Sequence, residues 1–281
     1  MSEIITTYEP DNSLKKGYFG IIKEIFNEIR DNHWLIYQLF KRDFFAIYKQ
    51  SFIGVLWAVI IPIVSVATFI LLRSSKVFFM GEIDVPYPIF AILGMAFWQF
   101  FSRGIVAASN SLVNAGSMIA KINFSKKSLV IASMGQAIVV FLVQFILVIL
   151  LLIYYQFTPN IAILLIPFML IPLFLMTLGF GFILSLLNGI MRDIGNIIST
   201  LMTFLMFLTP VLYARPQTGI LAQITRFNPF YYLISAPREL VLKGTILEMR
   251  GFISSIILSI IVFLVFTIIF HLTETRVTER V

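Results

Sequence analysis

Residues able to do covalent or proton chemistry are few and scattered in this chain. Its 281 residues include no cysteine and two histidines, His33 and His271. There is therefore no thiolate nucleophile, no disulfide and no His-x-x-x-His metal pair. No Gly-x-x-x-x-Gly-Lys-Ser/Thr loop occurs, so ATP hydrolysis by that route is not expected. Asp, Glu and His are nearly absent from the long apolar runs. A proton- or sodium-coupled carrier needs such groups at membrane depth, and a membrane-embedded hydrolase or glycan-modifying enzyme needs an acid–base constellation. The remaining candidates are cations and rings. Arg215, Arg226 and Arg238 fall in one mixed segment. Guanidinium binds phosphate bidentately, so they are candidate ligands for phosphate or pyrophosphate, with snorkelling to lipid heads as the competing account. Phe97, Trp98, Phe101 and Tyr231 offer aromatic faces to the apolar C–H faces of sugar rings, although interfacial belts use the same residues.

The elements that must position these groups follow from composition. The chain is 59% apolar and 12% charged, with mean hydropathy +0.95, against about 25% charged in ordinary soluble domains. Its net charge of +7 is not gathered into one patch, so nucleic acid is not an expected partner. A crossing needs about 20 apolar residues. Charge-free runs cover Ser51–Leu72, Val85–Ser102, Ser128–Met191, Ile194–Ala214 and Gly251–Phe270. The third is long enough for two crossings, with its break at Thr158-Pro159-Asn160. Six transmembrane helices are predicted, in an all-α membrane fold with both termini on one side. Fourteen of the 21 Lys and Arg then lie on the side of the termini, which predicts cytoplasmic termini. Met1–Asp31 lacks the apolar stretch of a signal peptide, so internal spans are expected to direct insertion.

Three organisational units are expected: residues 1–50 with amphipathic helices, the membrane domain 51–272, and the tail 273–281. In the first, Tyr18, Ile22, Ile25, Phe26 and Ile29 are predicted to share one helical face, and Ile36, Tyr37, Phe40, Phe44, Ile47 and Tyr48 another. Asp31 or Asn32 is the predicted cap of the second helix. Its basic flank, Lys41, Arg42 and Lys49 beside Tyr48, suits a helix lying in the membrane interface. The segment Ser102–Lys127 is read as a link between the second and third spans. Its apolar anchors and polar rim suit either a partner surface or a solvated loop. Pro216–Met249 is too polar to span and too apolar for a free loop, and its prolines and glycines cut it into short pieces. Ile220, Leu221, Ile224, Phe227, Tyr231, Leu233 and Ile234 are expected to need burial there. Irregular backbone at membrane depth survives only against protein or a wet cavity.

The stretch LFKRDFFAIYKQSFIGVLW over Leu39–Trp57, followed by Pro62, resembles the opening signature of ABC-2-type permeases that export polysaccharides. The departure is Phe52-Ile53 where the family often has leucine. Further blocks follow in family order: Phe100-Phe101, Ser109–Val113, Lys121–Phe124, Met191–Ile194, Phe207–Tyr213 and Phe227–Phe230. The resemblance implies a bacterial inner-membrane exporter of undecaprenyl-linked polysaccharide, with O-antigen first and capsule or teichoic acid behind it. It implies two copies of this chain with two ATP-binding subunits, and ATP-Mg held by the partner rather than by any cofactor in this chain. The link would dock on that ATPase through Ser109, Asn110, Leu112, Asn114 and Lys121. Pro216–Met249 would form a re-entrant pair of short helices between spans five and six.

Overall fold

The computed structural model describes residues 17–49, 56–75, 83–119, 121–122 and 124–278. Ser51–Val55, Lys76 and Asn123 lie outside them, as do the side chains of Tyr48 and Lys49. Among the described residues the chain is built of α-helices with one 3₁₀ turn and no strand.

Helix α4 (Tyr87–Asn114) is the central post, entered through Pro86 and Pro88, whose fixed φ suits a helix start. It packs along α6 (Lys126–Tyr154) and α7 (Ile166–Ile190), and α7 in turn packs along α11 (Met249–Thr278). Phe97, Phe100, Phe101 and Phe182 fill the spaces between these helices and are fully buried. Bulky rings alone would hold the helices apart, so small residues sit at the contacts. A Cβ on Gly179 would lie 2.9 Å from the Phe263 Cα, which brings α7 and α11 together.

Four helical stretches are long and apolar enough to cross a membrane: α4, α6, residues 161–190 and α11. The break between the second and third lies at Thr158–Asn160 as expected, where Asn160 Oδ1 accepts the Ala162 N–H and opens the 3₁₀ turn. Two shorter apolar helices join them, α3 (Trp57–Ser74) and α8 (Asp193–Leu208).

Several boundaries differ from expectation. The run Val85–Ser102 does not end its helix at Arg103. Gly104, Ile105, Ala108 and Leu112 prolong the buried face, so α4 runs on to Asn114 and the expected link is largely helix, closed by α5 (Gly116–Ile119). A charge limits a hydrocarbon crossing, not a helix. Conversely α8 stops six residues before Ala214, because Pro210 pushes Thr209 into extended backbone (φ −106°, ψ 123°). Its 16 residues span about 24 Å, short of the roughly 30 Å of hydrocarbon. Helix α11 continues as far as Thr278, into the segment expected to form a tail.

The amphipathic helices α1 (Gly17–Asp31) and α2 (His33–Lys49) gather at the end of the bundle where α4 and α11 finish, here called the proximal end. The inward face of α1 is rotated from that predicted, with Ile21 and Ile25 buried and Phe26 66% exposed. On α2 the predicted Ile36 and Phe40 pack against the core beside buried Leu39, while Tyr37 is exposed. Asn32 precedes α2 and its carbonyl accepts the Ile36 N–H at 3.0 Å, while its side-chain Nδ2 turns back to donate to the Glu28 carbonyl at 2.8 Å and closes α1. Helix α2 seats on α6 because a Cβ on Gly135 would fall 2.2 Å from the Phe40 ring. Gly135→Leu should therefore unseat α2. Overpacking of about 1–3 kcal/mol predicts roughly tenfold faster proteolytic cleavage within α2 while the bundle stays resistant. An unchanged cleavage rate would show that α2 is held elsewhere.

At the opposite, distal end lie α9 (Gly219–Phe227) and α10 (Pro229–Lys243). Asn228 Oδ1 caps α10 by accepting the Phe230 N–H, and Gly244 ends it at φ 74°. Tyr231, Leu233 and Ile234 are buried as expected. Ile220, Leu221, Ile224 and Phe227 are not, with Ile220 and Phe227 about four-fifths exposed. Among the described residues of one copy, none covers Ile220 and Phe227 on that face of α9.

Candidate functional site

At the proximal end, the five residues predicted to dock a partner divide into two sets. Ser109 and Leu112 are buried in α4, Asn110 is half-buried, and Asn114 and Lys121 are exposed. Behind the exposed pair stands Asn188, at the end of α7 and 1% exposed. Its Nδ2 donates to the Ser109 carbonyl and to Asn110 Oδ1, each at 3.0 Å, and its Oδ1 accepts the Gly195 N–H at 2.8 Å. One amide thus ties α4, α7 and α8 together. Helix α2 reaches the same region, since Arg42 donates to Met118 Sδ on α5 and pairs with Asp43. Lys41 is exposed nearby on α2, and Tyr48 and Lys49 complete its backbone.

A second knot joins α1, α6 and α11. Lys127 is 1% exposed; its ammonium donates to Glu28 Oε2 at 2.9 Å and to Glu274. Ser125 Oγ donates to Glu28 Oε1 at 2.6 Å, and His271 Nδ1 lies 3.6 Å from Glu274. Burial opposes ionisation of Glu28, but Lys127, Ser125 and His271 outweigh it and hold the carboxyl below its ordinary 4.5. Glu28, His271 and Glu274 sit close enough to share a cation, and the lysine ammonium already supplies that charge. Sequence reading counts Lys127 only as a topogenic cation and passes over Asn188. The available signal is a polar residue at the end of an apolar run, which spacing cannot pair with partners.

Helix α8 has three faces. Gly195, Ile198 and Met202 are buried against the bundle. Ile197, Leu201, Phe204 and Leu208, spaced four, three and four apart, form an exposed apolar seam. Asn196, Ser199, Thr200 and Thr203 form an exposed polar stripe beside it. Each hydroxyl donates to a carbonyl four residues earlier, Ser199 to Gly195, Thr200 to Asn196 and Thr203 to Ser199. In the core Gln144 and Gln99 are turned inward instead, Gln144 donating to Gln99 Oε1 at 2.6 Å, while single exposed hydroxyls occur on α3 and α11 at Thr68 and Ser254.

The predicted substrate ligands are not brought to one point. Arg226 is exposed at the end of α9. Arg215 pairs with Glu248 and lies 5.4 Å from the Tyr231 ring centroid. Arg238 is 4% exposed; Nη1 donates to the Val211 carbonyl at 2.7 Å, Nη2 to Pro210 at 3.3 Å, and the guanidinium stacks 3.8 Å from the Phe90 centroid. Gly94 permits this, because a Cβ there would fall 2.4 Å from the Val211 oxygen. Arg215, Arg238 and Tyr231 share a distal cleft of about 300 Å³ with Asp84, Glu239, Lys243 and Glu248. Phe97, Trp98 and Phe101 are core residues of the single chain, and Phe101 lies against Phe230 of α10 at 4.3 Å.

Residues 35–242 match the family of ABC-2 type transporters. The chain is 26% identical over 186 residues to the O-antigen export system permease protein RfbA of Myxococcus xanthus, covering 66% of this chain and 70% of that one. Two RfbA permeases of Klebsiella pneumoniae with the same description are 25% and 26% identical. They cover 75% and 79% of this chain and 82% and 88% of their own lengths.

Proposed function

The chain belongs to the ABC-2 type transporter family, and from that premise we propose that it is the membrane-spanning permease subunit of an exporter of lipid-linked polysaccharide. O-antigen is the first candidate, since the similar permeases carry that description. Two copies pair across the bacterial inner membrane, and separate ATP-binding subunits bind and hydrolyse ATP-Mg. On this reading α3 and α8 complete six crossings, both termini are cytoplasmic, and α1 and α2 lie in the inner interface. The distal end is then the outer end, and α9 and α10 are its re-entrant helices.

The observation that carries the reading is the three-faced α8. The space between α4, α6 and α7 is packed with rings, so a wide polar route does not run through that core. Hydroxyl and amide groups along a membrane helix favour a helix contact or a wet cavity over lipid. A second copy seated on the Ile197–Leu208 seam turns the Asn196–Thr203 stripe toward a shared water-filled path. Exposed Arg226 meets the substrate's phosphate at its outer mouth. Phe97, Trp98 and Phe101 are assigned to the glycan only in a conformation that parts α4 from α10. Asn114 and Lys121 present the docking surface, with Ser109, Asn110 and Leu112 holding it.

The chain has no cysteine, so single ones report cleanly. In cells, a membrane-impermeant maleimide should label Thr203→Cys and not Ile146→Cys, and Leu201→Cys should cross-link to its twin. An unlabelled Thr203→Cys in an export-competent protein would put the path elsewhere. The chain co-purified in lipid with the ATPase encoded beside it should form a complex whose turnover falls when residues 114–121 are altered. No complex from folded protein would remove the energy source and the reading with it.

A further inference from the structure

The distal cleft is electrically balanced. Asp84, Glu239 and Glu248 face Arg215, Arg238 and Lys243 across it, three anions against three cations. The cations are also engaged: Arg215 with Glu248, Lys243 with Asp84 at 3.0 Å, and Arg238 with two backbone carbonyls. A pyrophosphate would find no net positive charge and would have to displace a partner to gain each contact. A neutral polyhydroxyl compound meets neither obstacle. Carboxylates accept hydroxyl protons while keeping their cations, because each has about four lone-pair sites. Glu239 uses one oxygen on the Leu247 N–H at 2.9 Å, which leaves it that capacity. Arg238 lines the cleft while 4% exposed, and its Nε has no hydrogen-bond partner. A buried unmet donor is unfavourable, and a ligand oxygen that reaches it relieves that cost. Tyr231 backs the cleft, buried, with the Arg215 guanidinium over its ring at 5.4 Å. At about 300 Å³ the cleft is at the small end of ligand sites, sized for a short saccharide segment rather than a lipid tail.

We propose that this cleft is a saccharide subsite that holds uncharged sugar units of the exported polymer, through the Arg238 Nε and the Glu239 carboxylate. The inference rests on the permease reading and adds the ligand class of this one place. It also gives the subsite a mechanical consequence. Arg238 grips Pro210 and Val211, the corner that ends α8. A sugar held at Nε therefore bears on the outer end of the helix whose polar stripe borders the proposed path.

The test uses the permease–ATPase complex in lipid nanodiscs. Two probes are added separately and together: polysaccharide freed from its lipid by mild acid, taken from cells expressing this chain, and inorganic pyrophosphate. Saturation-transfer NMR should show sugar C–H signals that pyrophosphate does not displace. Glu239→Gln should weaken saccharide binding about three- to tenfold, the equivalent of one hydrogen bond. Glu248→Gln releases Arg215 and should create pyrophosphate binding that the unaltered protein lacks. Absent sugar signals, or sugar signals displaced by pyrophosphate in the unaltered complex, would overturn the subsite. Equal sugar signals from Glu239→Gln and the unaltered complex would also overturn it. ATPase turnover that depends on residues 114–121, measured on the same samples, decides the permease reading independently.

Discussion

Lys127→Met is expected to destabilise the detergent-solubilised protein by about 3–5 kcal/mol, the range for removing one partner of a buried ion pair. The methionine fills nearly the same volume, so packing changes little. What changes is that Glu28 and Glu274, which converge on one ammonium, are left facing each other beside His271 with no cation of that strength between them. Replacing all three polar groups together, with Glu28→Gln and Glu274→Gln added, should recover most of the loss, because the uncompensated charge is then gone. The pH dependence gives an independent reading. The folded-state pKa of Glu28 is depressed below its ordinary 4.5. Its contribution is therefore fully present above that value and is lost as pH falls through the lower folded value. Unfolding of the unaltered protein should ease below about pH 4.5, and the Lys127→Met protein should lack that step. Unfolding at the same denaturant concentration for both proteins at neutral pH would mean that the knot contributes nothing.

Four of the six predicted crossings are legible in sequence because hydrocarbon imposes one length on a span, and the Thr158–Asn160 break is legible because Pro and Asn have local backbone preferences. Ser109 to Asn114 reads as part of a link because Arg103 ends the apolar run. The helix continues because its far turns bury Ala108 and Leu112 against elements that no local window contains. The rotation of α1 has the same origin: Lys127, 99 residues away, draws Glu28 inward and turns Phe26 out, against the amphipathic pattern. Of the cleft, sequence singles out Arg215, Arg238 and Tyr231, and groups with them Arg226, which lies outside it. Residue type shows a guanidinium, and the fold alone shows that Arg238 is engaged by a proline corner 28 residues upstream and Arg215 by Glu248.

Asn188→Leu is expected to separate ATP hydrolysis from export. The leucine occupies a similar volume but removes two donors and the acceptor that holds the Gly195 N–H. A buried hydrogen bond contributes about 1 kcal/mol, and an orphaned buried group costs about 1–3, so the three-helix junction weakens by an amount that a packed bundle tolerates. The proposed docking residues Asn114 and Lys121 are untouched, so the ATPase should still dock and turn over. Its stroke reaches α4, but α4 no longer carries the α7–α8 corner with it. Export should fall at least about tenfold, the factor that corresponds to 1.4 kcal/mol of lost coupling, while ATP turnover stays near that of the unaltered complex. Asn188→Asp sharpens the point. It keeps an acceptor for Gly195 and so keeps the corner, but sets a carboxylate against the Ser109 carbonyl, and it should uncouple nearly as strongly. If both variants lose ATPase turnover and export in parallel, Asn188 merely holds the fold. If aspartate exports normally, the corner rather than the bond to α4 carries the stroke.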